Sequence, residues 1–382
     1  MQTLARDGLS ATQVLALLNA DDAVITAGAD LLDTSDRVLA DLTPDLAAAS
    51  VSRSNYAAVH GTATFTLSRA LVWDRDRVRL HQTWSSPVLG LTARFNRGVF
   101  IPRRPADTLG QGLVTYTVQA RDKLDLLLDP VGDTYEVVAN GTRTYLQAVR
   151  EAITAAGVGG AVLLDSSADT VVVPSTMVWP LVPVPQAAPG SLAGAAGTTT
   201  WLAIVNALLA AVGYRGLWAD ENGAYRSEPY VAPSARASEY RLDRDDIRTA
   251  NLSGVHTRTQ ASDVPNRWVF VRRGMTVAPT QGAGLYVVPN TTGLPTRTVV
   301  VELDAPDQAS LVAQGDARVA ADRQVAIVLE GTTAPIPVAG HFDVLTYADA
   351  ELGADRKVLA RSWTDPDLFR AADMRWVLEE VA

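Results

Sequence analysis

The sequence predicts an α+β fold that is mainly β, and three observations predict it. Long stretches alternate apolar and polar residues with period two, the pattern of half-buried antiparallel strands. One helix-then-strand stretch occurs twice in mid-chain, starting at Thr144 and again at Thr200, with strand-type sequence on both sides. Apolar residues make up 47% and charged residues 20% of the chain, a balance that builds a packed core and not a disordered chain. At 382 residues the chain exceeds the roughly 250–300 residues at which single cores stop growing, so several domains are expected.

Taken in order, residues 1–21 read as an N-terminal arm with a short helix over 9–20. Ser10 is its cap, and Val14, Leu17 and Leu18 share one face. Residues 22–128 form the first β-segment. There Ala63, Phe65 and Leu67 point inward between outward threonines, and Val114, Tyr116, Val118 and Ala120 repeat the pattern. Residues 129–232 form the inserted helix–strand module. Thr144 and Thr200 cap its two helices, Gly157 and Gly213 end them, and short strands follow at Ala161–Leu164 and Leu217–Trp218. Between the halves runs the Pro/Gly-rich loop 180–199, with Pro180, Pro183, Pro185 and Pro189 holding it extended. Asn222-Gly223 is a hairpin signal. Residues 233–382 form the second β-segment. Its strands centre on Arg267–Val271, Val299–Val301, Val325–Leu329, His341–Tyr347 and Met374–Leu378, and one helix interrupts it at about 308–322.

Composition excludes several chemistries. The formal charge of −9 opposes general nucleic-acid affinity, which rests on basic surface. Without cysteine there is no disulfide, thiolate metal site or thiol nucleophile. The N-terminus lacks the apolar core of a secretory signal, and the longest apolar run, Trp201 to Gly213, falls short of the ~20 residues that span a bilayer. Production in a cytoplasm fits. There is no Gly-x-Ser-x-Gly elbow, and His60, His81, His256 and His341 lie far apart in strand-like segments, where a structural role is the favoured reading. The carboxylate groups Asp30/Asp33/Asp36, Asp220-Glu221 and Asp243/Asp245/Asp246 lack the spacing of a calcium loop and read as solvated turns and caps. Gly157 to Gly160 follow a helix, whereas a phosphate loop precedes one. Arg94, Arg97, Arg103 and Arg104, with Phe95 and Phe100 interleaved, read first as a subunit interface, next as a solvated face and last as a nucleic-acid patch; Arg272-Arg273 is a second basic pair. No catalytic, cofactor-binding or metal-binding residue is assigned.

Three segments resemble the central hub proteins of bacteriophage tails, the tail-tip or baseplate hub family of minor tail proteins. Tyr116 to Leu127 resembles the family's strand that runs into an Asp-x-Leu-x-Leu-Leu segment. Thr200 to Trp218 with the following hairpin resembles its inserted α/β module. Ala309 to Asp322, then Pro335 and Gly340-His341-Phe342-Asp343-Val344, resembles its closing barrel. The resemblance implies two tail-tube-like antiparallel β-barrels per subunit, 22–128 and 233–382, with the module between them.

Functionally, the resemblance implies a structural virion protein without enzymatic activity. It would be a homotrimeric hub at the distal end of the tail that adapts a six-fold tube to a three-fold tip and forms part of the DNA-ejection channel. The implied partners are the distal tail protein or tube ring, the tape measure protein and other tail-tip or fibre proteins, with DNA only passing through. The implied location is the virion tail tip, after synthesis in the host bacterium. Members with a lytic enzyme carry it as an extra C-terminal domain; with the sequence ending at Ala382, such activity is expected to belong to another protein. Two rivals are a receptor- or carbohydrate-binding tail protein presenting Trp73, Trp84, Trp179 or Trp218, and a β-rich glycoside hydrolase using a carboxylate such as Asp243.

Overall fold

A computed structural model describes residues 2–73, 75–103, 107–110, 113–131, 134–179, 199–243, 257–258, 265–273, 277–291, 295–323, 327–348, 355–371 and 373–381. The loop 180–198, Arg104, Asp245, Asp246 and His256 lie outside the described residues. Strands take 44% and helices 18% of the described residues, roughly twice the usual strand share, so the mainly-β α+β class read from the sequence is the one adopted.

One large sheet runs through both β-segments. Its path passes Thr257–Arg258, Ile327–Thr333, Met374–Glu380, Arg356–Asp365, Leu46–Ser54, Gly61–Leu67, Leu113–Asp122, Leu91–Pro102, Arg77–Ser86, Val24–Leu32 and Val38–Asp41. The alternation predicted at Gly61–Leu67 holds, with Ala63, Phe65 and Leu67 buried and the threonines between them outward. The Arg356–Asp365 strand belongs to both halves. Its first part pairs with Val344–Ala348, its last part with Leu46–Ser54, and Met374–Glu380 runs along its other side. A register shift between Ala360 and Ser362 marks the changeover, the job a bulge does by bending a strand from one partner to another. The core follows the sheet: Val51, Phe65, Phe95 and Phe100 of the first segment pack in one cluster with Trp363, Trp376 and Leu378 of the second.

Four α-helices accompany the strands: α1 (Ala11–Leu18), α2 (Tyr145–Ala155), α3 (Trp201–Ala211) and α4 (Gln308–Arg323). Ser10 caps α1 with the reciprocal Ser10–Gln13 box, and Val14 and Leu17 are its buried positions. Thr144 and Thr200 cap α2 and α3 by accepting from Gln147 and Ala203 N–H. Gly157 and Gly213 follow them at φ 69° and 73°, the left-handed geometry for which glycine is used. The two copies pack on one another around Leu146, Val149, Ile153, Val205 and Leu209, a core separate from that of the large sheet. Their strands are not neighbours, however. Tyr225–Ser227, the return arm of the Asn222-Gly223 hairpin, lies between Val162–Leu164 (parallel) and Trp218–Ala219 (antiparallel).

The strand series of the second β-segment is divided. Arg267–Arg272, Gly284–Val288, Thr298–Leu303 and Thr280–Gln281 form a four-stranded sheet of their own, covered on one face by α4. Trp268, Phe270, Leu311 and Val319 make its core. Gly315 is what lets α4 sit so close, since a Cβ there would lie 2.8 Å from the Phe270 ring and 2.9 Å from Tyr286.

Candidate functional site

The module meets both β-segments at a joint of buried charges and stacked rings. Its anchor is Lys123, which follows the Leu113–Asp122 strand and is fully buried. Its ammonium donates to Asp36 at 2.6 Å and to the Gly223 carbonyl at 2.7 Å, and sits 4.7 Å from the centre of the Tyr225 ring. Tyr225 in turn donates its hydroxyl to the Lys123 carbonyl at 3.1 Å. Asp36 also accepts from Arg77 at 2.8 Å, so two cations share one carboxylate. Burial lowers the Lys123 ammonium, against which Asp36 raises it. Gly160 makes the approach possible: it has φ 111°, and a Cβ there would lie 2.2 Å from the Lys123 Nζ.

Beside this anchor is a stack of rings. His60 and His341 lie face to face with centroids 4.4 Å apart, and Trp218 continues the stack 5.4 Å beyond His341. Each ring comes from a different part: His60 precedes the Gly61–Leu67 strand, His341 precedes Val344–Ala348, and Trp218 is in the module. The Arg215 guanidinium lies over both Trp218, at 4.7 Å, and Phe342, at 4.2 Å. Arg53 reaches across to donate to the Ala219 carbonyl at 3.0 Å. Burial first, then Arg53 and Arg215, lowers His60 to about 4; burial first, then His60, Arg215 and Arg53, holds His341 well below the usual imidazole range. Asp122, buried beneath the joint and accepting from Gly61 and Leu124 N–H, is pushed up to about 6 by burial.

A second tie joins the β-segments directly. Arg97 and Asp365 are both fully buried and pair at 3.2 Å. The same guanidinium donates to the carbonyls of Pro337 at 2.8 Å and Ile336 at 3.3 Å, and lies 4.7 Å from the Trp363 ring centre. Nothing in this set resembles a nucleophile with its base; the groups hold parts of the chain together.

The architecture has solved counterparts. The chain matches the tail protein from Neisseria meningitidis MC58 with a TM-score of 0.59 and 13% identity, over 93% of this chain and 97% of that one. It matches the 43 kDa tail protein of prophage MuSo2 from Shewanella oneidensis with a TM-score of 0.57 and 13% identity, over 92% and 98%. Prophage tail protein gp18 from Listeria monocytogenes EGD-e follows with a TM-score of 0.50 and 10% identity, over 92% and 94%. This chain has the fold of phage tail proteins. No family model and no curated protein sequence matches it.

Set on that fold, the residues singled out in the sequence sort differently. Arg97 is buried within its own chain and so is not part of a subunit interface. Arg94 joins Arg79 on Asp30, and Arg103 joins Arg121 on Asp125. Arg273 pairs with Asp304 at 2.8 Å. Asp33 caps its turn by accepting from Ser35 and Arg37 N–H, and Asp220 does the same for Asn222 and Ala224. Asp243 ends a strand, Tyr240–Asp243, with Arg241 nearby at 3.6 Å. His81 is buried beneath Gly28, where a Cβ would meet its ring at 2.3 Å. Trp84 and Trp218 are buried, Trp73 leans on Tyr116 and Trp179 on Tyr135, so the four tryptophans form no shared exposed platform. Gly157 ends its helix as expected, while Gly159 passes close to the Thr34 carbonyl and Gly160 close to the anchor. Sequence reasoning missed Lys123, Arg215 and the His60–His341 pairing. The one available signal was scarcity: Lys occurs only at 123 and 357. Among the described residues no group of three or more His, Asp or Glu side chains gathers as a metal site, and no helix is long and apolar enough to cross a membrane.

Proposed function

We propose that this chain is a structural subunit of a phage tail tip, acting as a homotrimeric hub without catalytic residues. The observation that supports this best is the match in fold over nearly the whole length of two phage tail proteins, 93% and 92% of this chain. In this reading the large-sheet strands of 22–128 and 233–382 supply two tube-like wall elements per subunit. Three subunits then present six such elements to a six-fold tube and a three-fold face to the tip, around a channel for DNA. Homotypic closure of this kind removes exposed strand edges, a recurrent hazard of open sheets. The partners are the distal tail or tube ring, the tape measure protein and other tip or fibre proteins, and the location is the virion tail.

The joint suits such a role. Buried pairs at Lys123–Asp36 and Arg97–Asp365 fix how the parts sit, and a hub must hold that geometry while neighbours dock. Purified full-length chain should run as a trimer in multi-angle light scattering and give three-fold rings in cryo-EM class averages. A monomer at tens of micromolar, with no ring in the presence of tube protein, would sink the proposal.

A further inference from the structure

The ring stack at the joint ties the module, which has its own core, to two strands of the large-sheet core. His60, His341 and Trp218 stack at 4.4 and 5.4 Å, and the Nδ1 atoms of both histidines are buried without a hydrogen-bond partner among the described residues. The charged groups around them are mostly cations or carboxylates already engaged. Arg53 lies on the Leu46–Ser54 side and donates to Ala219; Arg215 lies on the module side and pairs with Glu228 at 2.7 Å. Arg236 pairs with Glu239 and donates to the Phe342 carbonyl at 2.7 Å. Asp122 accepts from two backbone N–H groups and Asp343 from Gly340 N–H at 2.7 Å. Glu379 accepts from Tyr56 at 3.0 Å, and Arg361 lies over the Tyr56 ring. The amino terminus adds a last, smaller positive influence on His341.

We propose that the His60–His341–Trp218 stack is an acid-labile latch, opening the joint locally when an imidazole is protonated while the cores on either side stay folded. Two neutral imidazoles stack well. An imidazolium in their place adds a cation beside Arg53 and Arg215, and gives each buried nitrogen a proton with nothing to accept it. The open state supplies water for those protons. The sheet core and the module core are separate apolar clusters.

The direction follows from linkage. His60 is lowered by burial to about 4, below its ordinary value of about 6.5, so the closed joint binds fewer protons than the open one. Closure is undisturbed above about pH 6.5 and weakens as pH falls from there toward 4. Each histidine raises the opening equilibrium by up to about tenfold per pH unit across that window.

Hydrogen exchange followed by mass spectrometry on the full chain, corrected for intrinsic rates, tests this between pH 6.5 and 4.5. Protection at residues 60–61, 217–220 and 340–343 should fall about 100-fold or more, while α3 and the Met374–Leu378 stretch of the sheet, which hold no histidine, keep theirs. In the His60→Phe/His341→Phe double variant, which keeps rings but no titratable nitrogen, the fall should vanish. Parallel loss in both proteins, or loss of α3 and Met374–Leu378 at the same pH, overturns the latch. Should the double variant fail to fold, carbon-13 imidazole NMR of the wild type decides, since the chain has only 4 histidines. The His60 and His341 resonances should stay neutral until the joint amides open, and their titration near pH 6.5 with those amides still protected overturns it; His81, also lowered to about 4 by burial, lies in the Arg77–Ser86 strand outside the latch.

Discussion

Removing the Arg97 guanidinium is the most exacting check on how the two β-segments are tied. Arg97 and Asp365 are both 0% exposed and 3.2 Å apart, so Arg97→Met leaves a buried carboxylate with no cation. Breaking a buried pair from one side costs about 3–5 kcal/mol. The carbonyls of Pro337 and Ile336 also lose their donor, adding about 1 kcal/mol each. Because these losses are not additive, about 5 kcal/mol is expected for the single change. A chain of 382 residues has a melting entropy of roughly 0.8 kcal/mol per kelvin, so calorimetry should show a drop of about 6 °C. Burial already pushes the Asp365 carboxyl up, so the variant should regain stability as pH falls and that carboxyl takes a proton. Arg97→Met/Asp365→Leu should recover most of the loss, because an apolar pair of similar volume replaces the ions on both sides. A single-variant drop under about 1 °C, or a double variant as unstable as the single, would refute the reasoning.

Three further outcomes follow from the same geometry. Gly160→Ala should cost about 3 kcal/mol by displacing Lys123 from Asp36, whereas Gly141→Ala, at φ 80° but facing open space, should cost only about 1 kcal/mol; thermal melts of the two variants side by side decide. Thr144→Ala and Thr200→Ala each remove an N-cap and should cost about 1 kcal/mol, read as faster hydrogen exchange in the first turns of α2 and α3. Asp122 is raised to about 6 by burial, so its share of stability is present below about pH 4 and lost as pH rises through about 6. In Asp122→Asn that dependence should disappear from urea midpoints taken at pH 4, 5 and 7, and a wild-type pH profile in the variant would contradict it.

Much of the fold was legible because it rests on short-range rules. Period-two alternation placed Gly61–Leu67, the Ser10 cap placed α1, and caps with closing glycines placed α2 and α3. The single helix expected at about 308–322 is α4, Gln308–Arg323. Strand partners were another matter. Arg267–Arg272 reads as a core strand, yet nothing local says that it leaves the large sheet for a smaller one under α4. The repeat gave two helix–strand units but not the pairing of their strands, between which the hairpin arm Tyr225–Ser227 lies.

The candidate site was almost silent in the sequence. Four dispersed histidines read as structural, and two of them prove to be stacked across 281 positions of chain that no spacing rule connects. Arg97 read as part of a basic stretch taken first as a subunit interface; its burial beside Asp365, far away in sequence, was not legible. What the sequence determined by itself is local: which segments are strands, where four helices begin and end, and which faces are apolar, because backbone geometry and side-chain period act over a few residues. What only the tertiary structure decided is which distant charges and rings share a buried space. Desolvation turns Lys123, Arg97 and the His60–His341 pair from ordinary polar residues into the fastenings of the molecule, and desolvation exists only once the chain has closed around them.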